Sequence, residues 1–131
     1  MKTIFSLSLL SLLFSCALMK PSERTLASLD YGEAPTNYVA LFKQGMKMRL
    51  KDPSSLQTLD IKPPKKMWSR DLNGVHNYWV ICGLFNAKNS FGGYTGFQPG
   101  GVWYKNDRVG FLNLINGEMP GITAEFSRPC G

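Results

Sequence analysis

Residues Val75 to Asn86 are the most restrictive stretch of this chain. Tyr78, Val80, Cys82 and Leu84 fall on one parity and Trp79, Ile81 and Phe85 on the other, so an extended strand here is apolar on both faces. Such a strand has to be covered twice, which makes it a central strand with a helix over one face and something else over the other. The candidate helix starts at Thr36, an N-cap after Pro35, and runs to about Lys51, where Asp52-Pro53 stops it. Val39, Phe42, Met46 and Leu50 recur at three- and four-residue steps and give it one apolar face. Lys43, Lys47 and Lys51 form a neighbouring basic stripe, with Arg49 on the other flank. That stripe is either a solvated face, with cations suited to the helix C-terminus, or a contact for lipid phosphates or an acidic partner. Gly45 weakens the helix by about 1 kcal/mol relative to Ala, which suggests that another backbone approaches there.

The remaining signals are strands and turns. Leu59 and Ile61 alternate with Asp60 and Lys62 in a short half-exposed strand, Leu56 to Lys62, ended by Pro63-Pro64. Met67-Trp68 resumes an extended run before the turn cluster Asp71-Leu72-Asn73-Gly74. After the central strand come Val102 to Lys105, a two-residue turn at Asn106-Asp107, and Val109 to Leu114. Asn116-Gly117 marks another turn, and Ile122 to Phe126 reads as a last short strand leading to Cys130. No internal repeat is present. The expected fold is α+β: one amphipathic helix packed on a small antiparallel meander of about four strands, occupying residues 36–131.

With 131 residues, 44% apolar and 18% charged, the chain has material for one domain and not for two. Its N-terminus reads as an export signal over residues 1–15, with Lys2 as the positive region and Ile4 to Phe14 as the apolar stretch. Lys20 interrupts the stretch too early for a span of about 20 apolar residues. Leu13-Phe14-Ser15-Cys16 resembles the lipobox of bacterial lipoproteins, a resemblance that implies cleavage before Cys16 and acylation of its thiol and new amino terminus. Residues 16–35 then become the lipid-anchored cysteine and a flexible tether, in which Pro21, Ser22, Ser28, Gly32 and Pro35 and scattered charges show no sustained period. Ordinary signal cleavage after Ser15-Cys16-Ala17 is the alternative and leads to a soluble exported chain. Either route leaves Cys82 and Cys130 as an even pair in an oxidising compartment, expected to be bonded; two free thiols are the competing reading.

Between the central strand and the hairpin, Asn86 to Gly101 holds five glycines interleaved with Phe91, Tyr94 and Phe97. It reads as a wide loop whose aromatics either pack back or present a surface. The candidate binding loop comprises Lys88, Asn89, Phe91, Gly92, Gly93, Tyr94 and Phe97, together with the basic helix face. The segment Lys51-Asp52-Pro53-Ser54-Ser55 after a helix, then Cys82-Gly83, then Asn86 to Phe97, resembles a group of small bacterial envelope proteins, often lipoproteins. The resemblance spans roughly residues 38 to 105 and implies a location and a shared domain, without a reaction or a ligand.

The usual catalytic patterns are missing. A P-loop needs Lys and Ser or Thr after its last glycine, and this loop has neither in place, although a nest of N–H groups for an anion remains open. Three cysteines and a single histidine give no zinc spacing. His76 and Cys82 share a strand face about 20 Å apart, too far for a thiol pair. Glu118 and Glu125 carry no signature of a glycosidase dyad. The net charge of +6 fits a nucleic-acid binder only superficially, because an exported chain seldom meets nucleic acid. The expectation is a non-catalytic protein with no cofactor or metal, held at the membrane through its lipid and facing the periplasm or exterior. Its partner would be an envelope protein or glycan; the alternative is a soluble periplasmic or secreted binder such as a hydrolase inhibitor.

Overall fold

The structure, a computed structural model, describes residues 20–71, 73–112, the backbone of 125–126, and residue 130. Cys16, the export signal, Asn113–Leu114, the Asn116-Gly117 turn, Glu118 and the start of the last expected strand lie outside the described residues.

Among the described residues two helices and six strands follow in order: α1 (Glu23–Ala27), α2 (Tyr38–Lys47), β1 (Gln57–Leu59), β2 (Lys65–Asp71), β3 (Gly74–Asn86), β4 (Gln98–Lys105), β5 (Arg108–Leu112) and β6 (Glu125–Phe126), with a 3-10 turn at Pro53–Ser55. The sheet is antiparallel, in the order β5-β4-β3-β2-β6. The thirteen-residue β3 is long enough to pair with β2 along its first half and with β1 along its last three residues. This is broadly the α+β arrangement that the sequence suggests, an antiparallel sheet with one longer helix, with the first and last expected strands reduced to the short β1 and β6 among the described residues.

Both faces of β3 are covered, as its two apolar parities require. On one side Ile81 and Val102 pack with Leu41, Phe42 and Met46 of α2, flanked by Ile61, Phe85, Tyr104, Val109 and Phe111. Phe42, Met46, Ile81, Val80 and Val102 are fully buried, and each contributes about 1.5–3 kcal/mol of transfer free energy. On the other side Val80, Met67 and Leu112 pack with Cys82 and Cys130, whose Cα atoms stand 5.7 Å apart in a disulfide. The bond closes a loop with a sequence separation of 48. By chain entropy alone that is worth about 4 kcal/mol.

The helix is shorter than its sequence pattern suggests, and its buried face is rotated. Asn37 precedes it without a side-chain cap, and Leu41, Phe42, Gly45 and Met46 are buried, whereas Val39 is 43% exposed. Gly45 admits a side chain rather than a backbone: a Cβ there would lie 2.5 Å from Val102 Cγ1. Lys51 falls beyond the end of α2, so the basic stripe on the helix reduces to Lys43 and Lys47, both exposed.

Two further expectations change. The strand predicted over Leu56 to Lys62 is confined to Gln57–Leu59, because Asp60 takes a positive φ of 52° and breaks the alternation. Ile61 then turns onto the first core, and the Lys62 amide donates to the Cys82 carbonyl at 2.8 Å. The tether is also cut short. Residues 23–27 form a short helix capped by Ser22, whose Oγ accepts from the Thr25 amide, and the chain at Asp30–Gly32 lies on the sheet. There Asn77 Nδ2 donates to the Asp30 carbonyl, Trp79 Nε1 donates to the Tyr31 carbonyl at 2.9 Å, and the Tyr31 ring meets Trp79 edge-on. Lys66 Nζ sits 5.1 Å and 5.7 Å from the two ring centroids, so a cation and two aromatics fasten a segment that composition marks as spacer.

Candidate functional site

The glycine-rich segment is an ordered small hairpin, not a wide loop. Lys88 and Tyr94 form an isolated antiparallel bridge, and the Asn89 amide donates to the Gly93 carbonyl at 2.9 Å. One side chain shapes the tip: Asn89 Oδ1 accepts from the amides of Phe91, at 2.9 Å, and Gly93, at 3.2 Å, while the Gly92 amide donates to the Asn89 carbonyl at 3.1 Å. Gly92, with φ of 77°, supplies the left-handed turn that this wrapping needs. The Phe91, Gly92 and Gly93 amides are therefore spent internally, and Asn89 takes the place that an anion would occupy among them. At the far side the Gly96 amide donates to Asn86 Oδ1 at 3.1 Å.

The hairpin stands on the 3-10 turn. Ser55 is buried and uses both of its oxygens: its Oγ accepts from the Lys88 amide at 2.9 Å and its carbonyl accepts from the Tyr94 hydroxyl at 3.0 Å. Ser55 Oγ in turn donates to the Asp52 carbonyl at 2.8 Å, and Ser54 Oγ donates to the Asp52 carboxylate. Lys51 Nζ donates to Ser90 Oγ across the gap, and Lys88 Nζ lies 5.7 Å from the Tyr94 ring centroid. Residues 51–55 thus brace residues 88–94.

The aromatics do not pack into the core. Phe91 is 97% exposed at the tip, with Tyr94 at 45% and Phe97 at 48% behind it. The loop is also shorter than its glycine content suggests, because β4 already begins at Gln98. Gly100 belongs to the sheet, where a Cβ would stand 2.7 Å from Phe85 Cδ1 and 3.0 Å from Met46 Cε. Of the residues singled out from sequence, Lys51, Lys88, Asn89, Phe91, Gly92, Gly93 and Tyr94 come together, with Phe97 beyond the bridge. Lys43 and Lys47 stay on α2. Ser55 and Asn86 were missed; a Pro-Ser-Ser turn is too common a signal to single out a bracing serine.

His76 does have a carboxylate partner, which the sequence pattern does not reveal. The β2–β3 register places Asp71 opposite Gly74, and Asp71 Oδ1 lies 3.0 Å from His76 Nε2. This hydrogen bond, followed by one from the Asn73 amide, holds the Asp71 carboxyl below the usual carboxylate range. No free thiol faces this pair on its strand, since Cys82 is disulfide-bonded, and Ser69, the cross-strand partner of His76, is buried. Among the described residues no group of three His, Cys, Asp or Glu side chains could hold a metal ion, and no helix is long and apolar enough to cross a membrane.

Fold and site together define a small disulfide-fastened α+β domain that displays one braced aromatic hairpin. No family model matches the chain, and neither curated proteins nor solved structures show a significant similarity to it.

Proposed function

We propose that this chain is a non-catalytic, lipid-anchored module of the bacterial cell envelope that binds another envelope component through the Lys88–Phe97 hairpin. The observation that carries the reading is the tip: a fully exposed Phe91 on a backbone already held by Asn89 and Ser55. Phe91 lies outside both core clusters, and a tip backbone already held in one conformation lowers the ordering cost of binding. The Cys82–Cys130 bond supports residence in an oxidising compartment. The Leu13 to Cys16 lipobox supports anchoring, in which several acyl chains hold a protein on a bilayer essentially permanently.

Metabolic labelling with a fatty acid tests the anchor. Wild-type chain should take up label and Cys16→Ser should not; equal labelling of both refutes it. Recovery of unlabelled protein in the periplasmic wash would favour a soluble exported binder built on the same scaffold.

A further inference from the structure

The chemistry left free at the hairpin tip identifies what it meets. Its amides at Phe91, Gly92 and Gly93 are all consumed by Asn89, so the tip offers little to a glycan, which is gripped by converging hydrogen-bonding groups in a concavity. What remains outward is one phenyl ring, followed by two glycines that add no side chain, and two ammonium groups close by. Lys51 is held at the tip through Ser90, and Lys88 is held over Tyr94. No carboxylate occurs between Asn86 and Gly101, and the nearby Asp52 already accepts from Ser54. An apolar tip backed by a half-exposed tyrosine and ringed by lysines matches a bilayer interface, where rings enter the acyl boundary and ammonium groups face phosphates.

We propose that the Asn89–Gly93 tip is a bilayer-contact site, with Phe91 entering an anionic lipid surface while Lys51 and Lys88 lie against its headgroup phosphates. The proposal rests on the envelope reading above and gives the hairpin's partner a chemical class. The segment docked at Asp30–Gly32 meets β3 at Asn77 and Trp79, about 23 Å along the strand from Asn86. The β2–β3 turn at Asn73 lies about 40 Å from Asn86, at the other end of β3, and serves as the distant reference position.

Phe91→Trp and Asn73→Trp variants of the full chain, in whatever processed form the cell makes, are mixed with an excess of vesicles carrying brominated acyl chains. Tryptophan quenching is read against the wild-type background of Trp68, Trp79 and Trp103. Tryptophan at 91 should be quenched on vesicles containing phosphatidylglycerol and tryptophan at 73 should not. Lys51→Gln and Lys88→Gln in the Phe91→Trp background should each weaken the vesicle dependence of quenching by about fivefold. Tryptophan at 91 that stays unquenched while the chain floats with the vesicles overturns the proposal. So does equal quenching at both positions, or shielding of 91 only after an envelope-protein fraction is added. Loss of the anchor reading appears separately, as absence of fatty-acid label at Cys16, and leaves the quenching result to decide the tip.

Discussion

Replacing Gly45 with alanine sets two effects of known sign against each other. In an isolated helix the change is favourable by about 1 kcal/mol, because glycine loses more backbone freedom on folding. In this protein the new methyl would lie 2.5 Å from Val102 Cγ1, 2.9 Å from Val102 Cβ and 3.3 Å from Val109 Cγ2. Carbon atoms in contact prefer about 3.5–4.0 Å, so the overlap with Val102 is about 1 Å. Val102 cannot swing aside: it is fully buried, β-branched, and paired on both edges with Ile81 and Phe111. The helix has to back away from the sheet, and overpacking of this kind costs about 1–3 kcal/mol, towards the upper end when the obstacle is a Cβ. The expected net effect of Gly45→Ala is a loss of about 1–2 kcal/mol, read by circular dichroism as a Tm lower by roughly 4–8 °C per kcal/mol. Exposed Gln44→Ala should stay within about 0.5 kcal/mol of wild type. Val102→Ala is destabilising alone, yet combined with Gly45→Ala it should cost less than the sum of the two by about 1 kcal/mol, because it removes the obstructing methyls. A Gly45→Ala protein that melts above wild type, or strict additivity with Val102→Ala, would refute the packing argument.

Cys82→Ala with Cys130→Ala should lower stability by about 2–4 kcal/mol, and non-reducing mass spectrometry of the wild type should find the two cysteines linked; free thiols at both count against the bond. Ser55→Ala leaves the Lys88 amide without its acceptor, so hydrogen exchange at Lys88 should accelerate and stability should fall by about 1–2 kcal/mol, whereas unchanged exchange would mean that the hairpin stands without its brace. Asp71 has a folded-state pKa depressed below 3.8, so its contribution is present above that value and is lost as pH falls through the folded value. Urea midpoints of wild type and Asp71→Asn should therefore converge on acidification; a gap that stays constant with pH would show that folding does not depress this carboxyl.

Elements whose evidence is local were legible. The turn at Asn106-Asp107 needs two residues that tolerate positive φ, and both adopt it, at 49° and 61°. The double-sided strand was legible because a period of two with both parities apolar has few other solutions. The helix was legible in existence and not in phase: Val39 and Leu41 serve a three- and four-residue pattern almost equally well, and which one is buried depends on how α2 is rotated over Ile81 and Val102. Lys51 continues the stripe on paper, yet it follows the helix end and turns toward Ser90 instead. Asp30–Gly32 was illegible, since a short polar segment carries no period and its partners Asn77 and Trp79 stand 47 and 48 residues away.

By itself the sequence determined that β3 is covered on both faces and that a helix supplies one cover, because alternation and periodicity are properties of neighbouring residues; that Cys82 and Cys130, 48 residues apart, meet was left to the tertiary structure. Only the tertiary structure decided that Phe91, Tyr94 and Phe97 point outward. Composition records how many glycines and rings a loop contains, but the direction of the rings follows from hydrogen bonds made by Ser55, more than thirty residues upstream, to Lys88 and Tyr94.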